Sequence, residues 1–158
     1  MQEFSNRKYY NLCMKIALLI PVYNEAAVLP ILWQRLEEVL PHAPGTVFEY
    51  VFVNDGSTDE TLSSLRELAA KHPQVKVVSL SRNFGKEAAL TAGLQETAGA
   101  DATVVLDADL QDPPELIPAF IEKFRQGFDV VYGRRVSRGT DSFLKRVTAR
   151  GFYACYNR

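Results

Sequence analysis

Val104-Val105-Leu106-Asp107-Ala108-Asp109-Leu110-Gln111-Asp112-Pro113-Pro114-Glu115 is an apolar run that breaks off in carboxylates and then starts a helix. Side chains two apart on an extended segment share a side, so Asp107 and Asp109 can offer two carboxylates to one cation, with the Gln111 amide oxygen close behind. Such oxygen donors suit Mg²⁺ or Mn²⁺. Magnesium held by one or two carboxylates fills its remaining positions with water and substrate phosphates, so the expected ligand is phosphorylated. Asp112 to Glu115 reads differently. An acceptor at N-cap, proline at the first helical position and a carboxylate at N3 predict a capped helix start.

Outward from that stretch, strands and helices alternate. Ile16-Ala17-Leu18-Leu19-Ile20 is a continuous apolar run closed by Pro21, as expected of a strand buried on both faces. A helix is expected from Glu25, with Leu29, Leu32, Trp33, Leu36 and Leu40 on one face and Pro30 in its first turn. The second strand, Tyr50 to Val53, ends at Asn54-Asp55-Gly56, and Ser57 with Glu60 predicts a capping box for a helix carrying Leu62, Leu65 and Leu68. Val75 to Leu80 is the third strand, followed by Ser81 to Lys86 and an alanine-rich helix from about Glu87 to Glu96 whose small residues predict close packing. Thr103 to Leu106 is the fourth strand, and Leu116, Ile117, Phe120, Ile121 and Phe124 form a helix face that stops at Gly127. Asp129 to Tyr132 reads as a fifth strand. The fold class is therefore α/β, with a largely parallel central sheet, right-handed crossovers and helices on both faces.

The chain's 158 residues, 47% apolar and 23% charged, suit one domain with a sizeable core. Cys13 and Cys155 show neither disulfide nor zinc spacing, and the apolar runs are too short to span a bilayer, which predicts a cytosolic setting. The net charge of −1 hides an asymmetry. From Arg134 onward seven basic residues face Asp141 alone, leaving residues 1–133 at −7. A basic end on an acidic body predicts an anionic partner there, phosphate or a charged membrane surface, or else a solvated helix face. Residues 15–140 form the expected domain, preceded by an extension at 1–14. Residues 141–158 read as a basic amphipathic helix opening a longer C-terminal region.

Ligands of open parallel sheets bind beyond the carboxyl ends of the strands, where Pro21 to Glu25, Asn54 to Asp55, Ser81 to Lys86, Asp107 to Gln111 and Gly133 to Arg135 all fall. No Gly-x-Gly-x-x-Gly follows the first strand and no P-loop is present, so phosphates must be held by a metal and side chains.

Four ordered blocks, Ile20-Pro21-Val22-Tyr23-Asn24-Glu25, Val53-Asn54-Asp55-Gly56-Ser57-Thr58-Asp59, Ser81-Arg82-Asn83-Phe84-Gly85-Lys86 and Asp107-Ala108-Asp109-Leu110-Gln111-Asp112-Pro113-Pro114-Glu115, resemble the family 2 glycosyltransferases of the GT-A fold. The resemblance is strongest to the polyprenyl-phosphate sugar transferases, dolichyl-phosphate mannose synthase and bactoprenol glucosyltransferases among them, and covers roughly Lys15 to Tyr156. It implies that Pro21, Tyr23, Glu25, Asp55, Asn83, Lys86 and Asp107 hold the nucleotide, with Asp55 at the base. It further implies that Asp107, Asp109 and Gln111 bind the cation, and that Arg135 and Lys145 lie near the phosphates, with Asp107, Asp109 and Arg135 carrying catalysis.

The implied reaction is an inverting transfer from a UDP- or GDP-sugar to a polyprenyl phosphate at the cytoplasmic membrane face. A cation and an arginine would stabilise the charge that develops on the diphosphate. His42 and His72 sit away from the motif-bearing edge, which suits an acceptor phosphate that needs no base. Family members of this kind continue past Arg158. Two alternatives are a nucleotide-sugar-binding domain without transferase activity and a family 2 transferase with a polysaccharide or cell-wall acceptor; among partners a homo-oligomer stays open and a nucleic acid is not expected. A sugar nucleotidyltransferase would carry a glycine-rich loop after the first strand, and a haloacid-dehalogenase phosphatase would place Asp-x-Asp after that strand.

Overall fold

Met14–Val22 forms β1, in which Ala17, Leu18, Leu19 and Ile20 are all fully buried, as a strand covered on both faces requires. The computed structural model describes residues 13–133. After β1 come α1 (Leu29–Val39) with a 3-10 turn at Leu40–His42, β2 (Thr46–Asn54), α2 (Thr61–Lys71), β3 (Val75–Ser79) and α3 (Lys86–Glu96). Then follow β4 (Ala102–Val105) and a 3-10 turn at Pro114–Leu116 that runs into α4 (Ile117–Arg125). All pairings are parallel, in the order β3-β2-β1-β4.

The period of two along β1 divides the core between the sheet's faces. Ile16, Leu18, Ile20 and Val22 pack with Leu32, Trp33 and Leu36 of α1, Leu65 of α2, and Ile117 and Ile121 of α4. Leu19 faces the other way, with Val51, Val53 and Ala89 of α3. Right-handed crossovers demand this division, because the chain winds outward from β1 to β3 and then crosses back to β4. The alanine-rich helix packs as closely as its composition predicts. A Cβ at Gly93 would run into the side chains of Leu19 and Val53. Trp33 is core, its ring 4.9 Å from Tyr50 and 4.5 Å from His72. Burial, then the Glu37 charge, pushes the Tyr50 hydroxyl up to about 12.

Pro21 lies inside β1 without breaking the sheet. The Val22 carbonyl accepts from Asp55 N–H of the β2 side, so Pro21 presents its missing donor to the β4 side. There the ladder has already ended, with the Leu106 N–H donated to Leu19.

Several local expectations are corrected. α1 begins at Leu29 rather than Glu25, because a helix through residue 26 would set the Pro30 ring against the carbonyl four residues back. Val28 and Leu29 N–H close a turn onto the Glu25 carbonyl instead. The Ser57/Glu60 capping box is absent: Ser57 Oγ accepts from Asn24 N–H, Glu60 accepts from Ser63, and Asp59 Oδ1 receives the Thr61 N–H at 3.0 Å. At α4 the residue before Pro114 is driven out of the helical region, so Pro113 is extended (ψ 123°) and Asp112 falls one position short of the cap. Glu115 pairs with Arg35 of α1 at 2.5 Å, which holds its carboxyl below the usual range.

The expected strand at Asp129 to Tyr132 does not form. Val130 and Tyr132 are 79% and 80% exposed, and Gly133 instead lies near Phe120 and Leu116. α4 packs on the same face as α1 and α2, and a right-handed crossover from there leads toward β1, whose place beside β4 is taken. Among the described residues, no helix is long and apolar enough to cross a membrane.

Candidate active site

The winding reverses between β1 and β4, and the crevice beyond their carboxyl ends is where ligands of such sheets bind. A cleft of about 320 Å³ lies there. It is lined by eight of the residues singled out above, Pro21, Tyr23, Glu25, Asp55, Asn83, Lys86, Asp107 and Asp109, together with Val22, Gly85, Ala89 and Ala108. Gln111 is not among the lining residues; its backbone N–H is donated to Asp109 Oδ1 at 3.0 Å. Arg135 and Lys145, and the expected helix at 141–158, lie outside the described residues.

Two loops form the near wall. Asn24 adopts a left-handed conformation (φ 55°), which the short polar side chain of asparagine tolerates, and its Oδ1 accepts the Thr58 N–H at 2.8 Å. Glu25 N–H is donated to Thr61 Oγ1 at 2.9 Å and Ala26 N–H to Asp59 Oδ2 at 3.2 Å. The β1 loop is therefore stitched to the start of α2. Asp59 closes the second sequence block but was given no role there; here it joins the two loops. Burial first, then the charges of Asp109 and Asp59, raises the Glu25 carboxyl above its ordinary range. The local signal for this role was its place two residues before Thr61, where an aspartate can close an Asx turn.

Asp55 builds the floor. It is 4% exposed, and its two oxygens accept Phe84 N–H at 2.8 Å and Gly85 N–H at 2.9 Å. Gly56 (φ 65°) lets the 82–83 backbone pass close by, since a Cβ there would strike Arg82 and Asn83 main-chain atoms. Asn54, also buried, donates to Ser79 Oγ at 3.0 Å and accepts the Ser57 N–H at 3.1 Å. Asp55 thus anchors the loop that carries Asn83 and starts α3. Arg82 lies 4.3 Å over the ring of the half-exposed Phe84.

The far wall is the acidic turn. Its two aspartates are brought to the cleft by a turn rather than by continued strand geometry, because β4 ends at Val105 and Leu110 is left-handed (φ 60°). That conformation costs a leucine on the order of 1–2 kcal/mol. Packing of the Leu110 side chain against the core holds it in place. Lys86, the first residue of α3, sets its ammonium 2.6 Å from Asp107 Oδ1 and 2.8 Å from Oδ2.

No three His, Cys, Asp or Glu side chains among the described residues come together as a ready-made metal cage. The donor set nevertheless fits a hard divalent ion. Asp107 already holds a cationic group, and Asp109 crowds Glu25 with charge that a cation would relieve. Two carboxylates leave most of an octahedral shell to water and phosphate, the usual arrangement for Mg²⁺.

Residues 17–157 match the model for glycosyl transferase family 2. The chain is 48% identical over 145 residues to a bactoprenol glucosyl transferase of Shigella phage SfX, covering 92% of this chain and 47% of that protein. It is 46% identical over 140 residues to an uncharacterised glycosyltransferase of Bacillus subtilis, covering 89% of this chain and 43% of that one. The chain spans about half the length of these relatives. Among solved structures, a mannosyltransferase of Pyrobaculum calidifontis in complex with GDP-mannose and Mn²⁺ superimposes with a TM-score of 0.58 at 25% identity, covering 73% of this chain and 35% of that one.

Proposed function

The chain belongs to the glycosyl transferase family 2, and from that premise we propose that it supplies the donor site of an inverting, metal-dependent transfer of a sugar from a nucleoside diphosphate to a polyprenyl phosphate. The observation that carries this is the convergence of Asp107, Asp109 and Lys86 with Glu25 and Asp55 in the switch-point cleft. The bactoprenol relatives and the neighbour solved with GDP-mannose and Mn²⁺ support the acceptor, donor and cation classes.

In this reading Pro21 and Tyr23 border the nucleoside above the floor that Asp55 anchors, and Asp107 and Asp109 hold the cation, with Gln111 on the same turn. A bound Mg²⁺ or Mn²⁺ would offset the charge developing on the leaving diphosphate. Lys86, and Arg135 with Lys145, add positive charge on the phosphate side. Neither histidine lines the cleft: His72 packs at a tilt against Trp33, and His42 ends the turn after α1. A phosphate acceptor suits such a site, being largely a dianion at neutral pH with a second pKa of about 6. It needs no base to activate it.

The test supplies radiolabelled UDP-glucose or GDP-mannose, undecaprenyl phosphate in detergent, and Mn²⁺. Label should pass into the organic phase and stop doing so with EDTA. Label that stays in water with every donor would refute the acceptor, while calorimetric binding of UDP or GDP would leave the donor cleft standing. The membrane face is tested separately, as sedimentation with anionic but not neutral liposomes, weakened by ~0.5 M salt through screening and lost in Lys145→Glu with Arg146→Glu. Equal partitioning onto both liposome types removes the membrane role.

A further inference from the structure

We infer that Lys86 and a divalent cation compete for Asp107, so that metal and nucleoside diphosphate enter the cleft as a coupled pair rather than independently. The inference rests on the donor-site reading above and adds the part Lys86 plays in how that site fills. Lys86 reaches both oxygens of Asp107, at 2.6 and 2.8 Å. A cation that takes this carboxylate must first displace the ammonium or share it against like-charge repulsion.

The lysine is placed to yield. Its side chain is 53% exposed on a flexible stem, whereas the backbone before it is pinned by the Gly85 N–H bond to Asp55. The ammonium can therefore swing without moving α3. What it leaves behind favours a doubly charged replacement, because Asp107, Asp109 and Glu25 line the same cleft. A single ammonium held on Asp107 leaves the other two carboxylates without a cation.

An arriving diphosphate supplies the missing partner. Lysine acts as a point charge that exchanges one anion for another without a fixed geometry. The diphosphate that receives the ammonium also completes the shell of the cation, so each ligand removes an obstacle to the other. Linkage makes the coupling reciprocal: metal tightens nucleotide by the same factor by which nucleotide tightens metal.

The test titrates Mn²⁺ into wild type, Lys86→Met and Lys86→Arg, following free Mn²⁺ by electron paramagnetic resonance, alone and with saturating UDP or GDP. Without nucleotide, Lys86→Met should bind Mn²⁺ about fivefold more tightly than wild type, the scale of a half-exposed ion pair. Lys86→Arg, which keeps the charge, should stay near wild type. With UDP or GDP present, the enhancement of Mn²⁺ affinity should be smaller in Lys86→Met than in wild type. Equal Mn²⁺ affinities and equal enhancement in all three proteins would overturn the hand-over while leaving the metal site intact. No Mn²⁺ binding by any of them, with or without nucleotide, would remove the metal from the donor-site reading and the hand-over with it.

Discussion

Replacing Asp55 with alanine removes the acceptor from two backbone N–H groups at once, at 2.8 and 2.9 Å from a carboxylate that is almost wholly buried. Hydrogen bonds to a charged group contribute about 1.5–3 kcal/mol each. Phe84 is half exposed, so water can recover part of that loss at its amide. The lower bound for both bonds, about 3 kcal/mol, is the expected destabilisation. At roughly 3 °C per kcal/mol for a domain of this size, the melting temperature should fall by about 9 °C. A domain of ordinary stability, ~5–15 kcal/mol, still folds after such a loss. The damage should concentrate in the 81–85 loop, so nucleotide affinity falls as Asn83 and Lys86 lose their support. Asp55→Asn keeps one acceptor but turns an NH₂ toward the other amide, and should recover only part of the stability. Urea denaturation, thermal melting and UDP or GDP calorimetry on the same samples decide it. An Asp55→Ala protein with unchanged midpoint and melting temperature would refute the anchoring role, whatever happens to affinity.

Asp109→Asn should abolish the Mn²⁺-dependent part of UDP or GDP binding, and calorimetry that shows equal binding with and without EDTA in wild type would remove the cation from the site. Gly93→Ala should destabilise the domain by about 1–3 kcal/mol through overpacking against Leu19 and Val53, despite alanine's better helix propensity; a higher urea midpoint would contradict the close approach of α3. Glu49 is buried between Lys15 and Lys76, whose ammonium groups hold its carboxyl below the ordinary range. Its contribution is therefore present above the unfolded-state pKa of about 4.3 and lost as pH falls through the lower folded value. Glu49→Gln should lower the melting temperature at pH 7 and flatten its decline between neutral and acid pH; parallel melting curves for the two proteins would exclude this pair as a source of acid sensitivity.

Local chemistry along the chain was enough to specify the α/β class, the four parallel strands and the residues at their carboxyl ends. Apolar runs such as Ala17 to Ile20 are long enough to be read without neighbours, and polar turns mark where they stop. Eight of the twelve cleft-lining residues were legible for the same reason, since strand ends in a parallel sheet share one edge whatever the details of packing. Where two local preferences competed, tertiary structure decided. Ser57 could cap α2 or accept from Asn24, and the stitching of two loops won. Asp55 could face the cleft or support its floor, and the proximity of the 84–85 amides put both oxygens to support. Asp129 to Tyr132 has the composition of a strand, but strand formation requires a free partner in the right hand of crossover, which no residue in the segment encodes. The Lys86–Asp107 pair lies 21 residues apart in sequence. Only the return of the chain across the sheet, from β3 through α3 to β4, brings that cation and that carboxylate to the same side of one cleft.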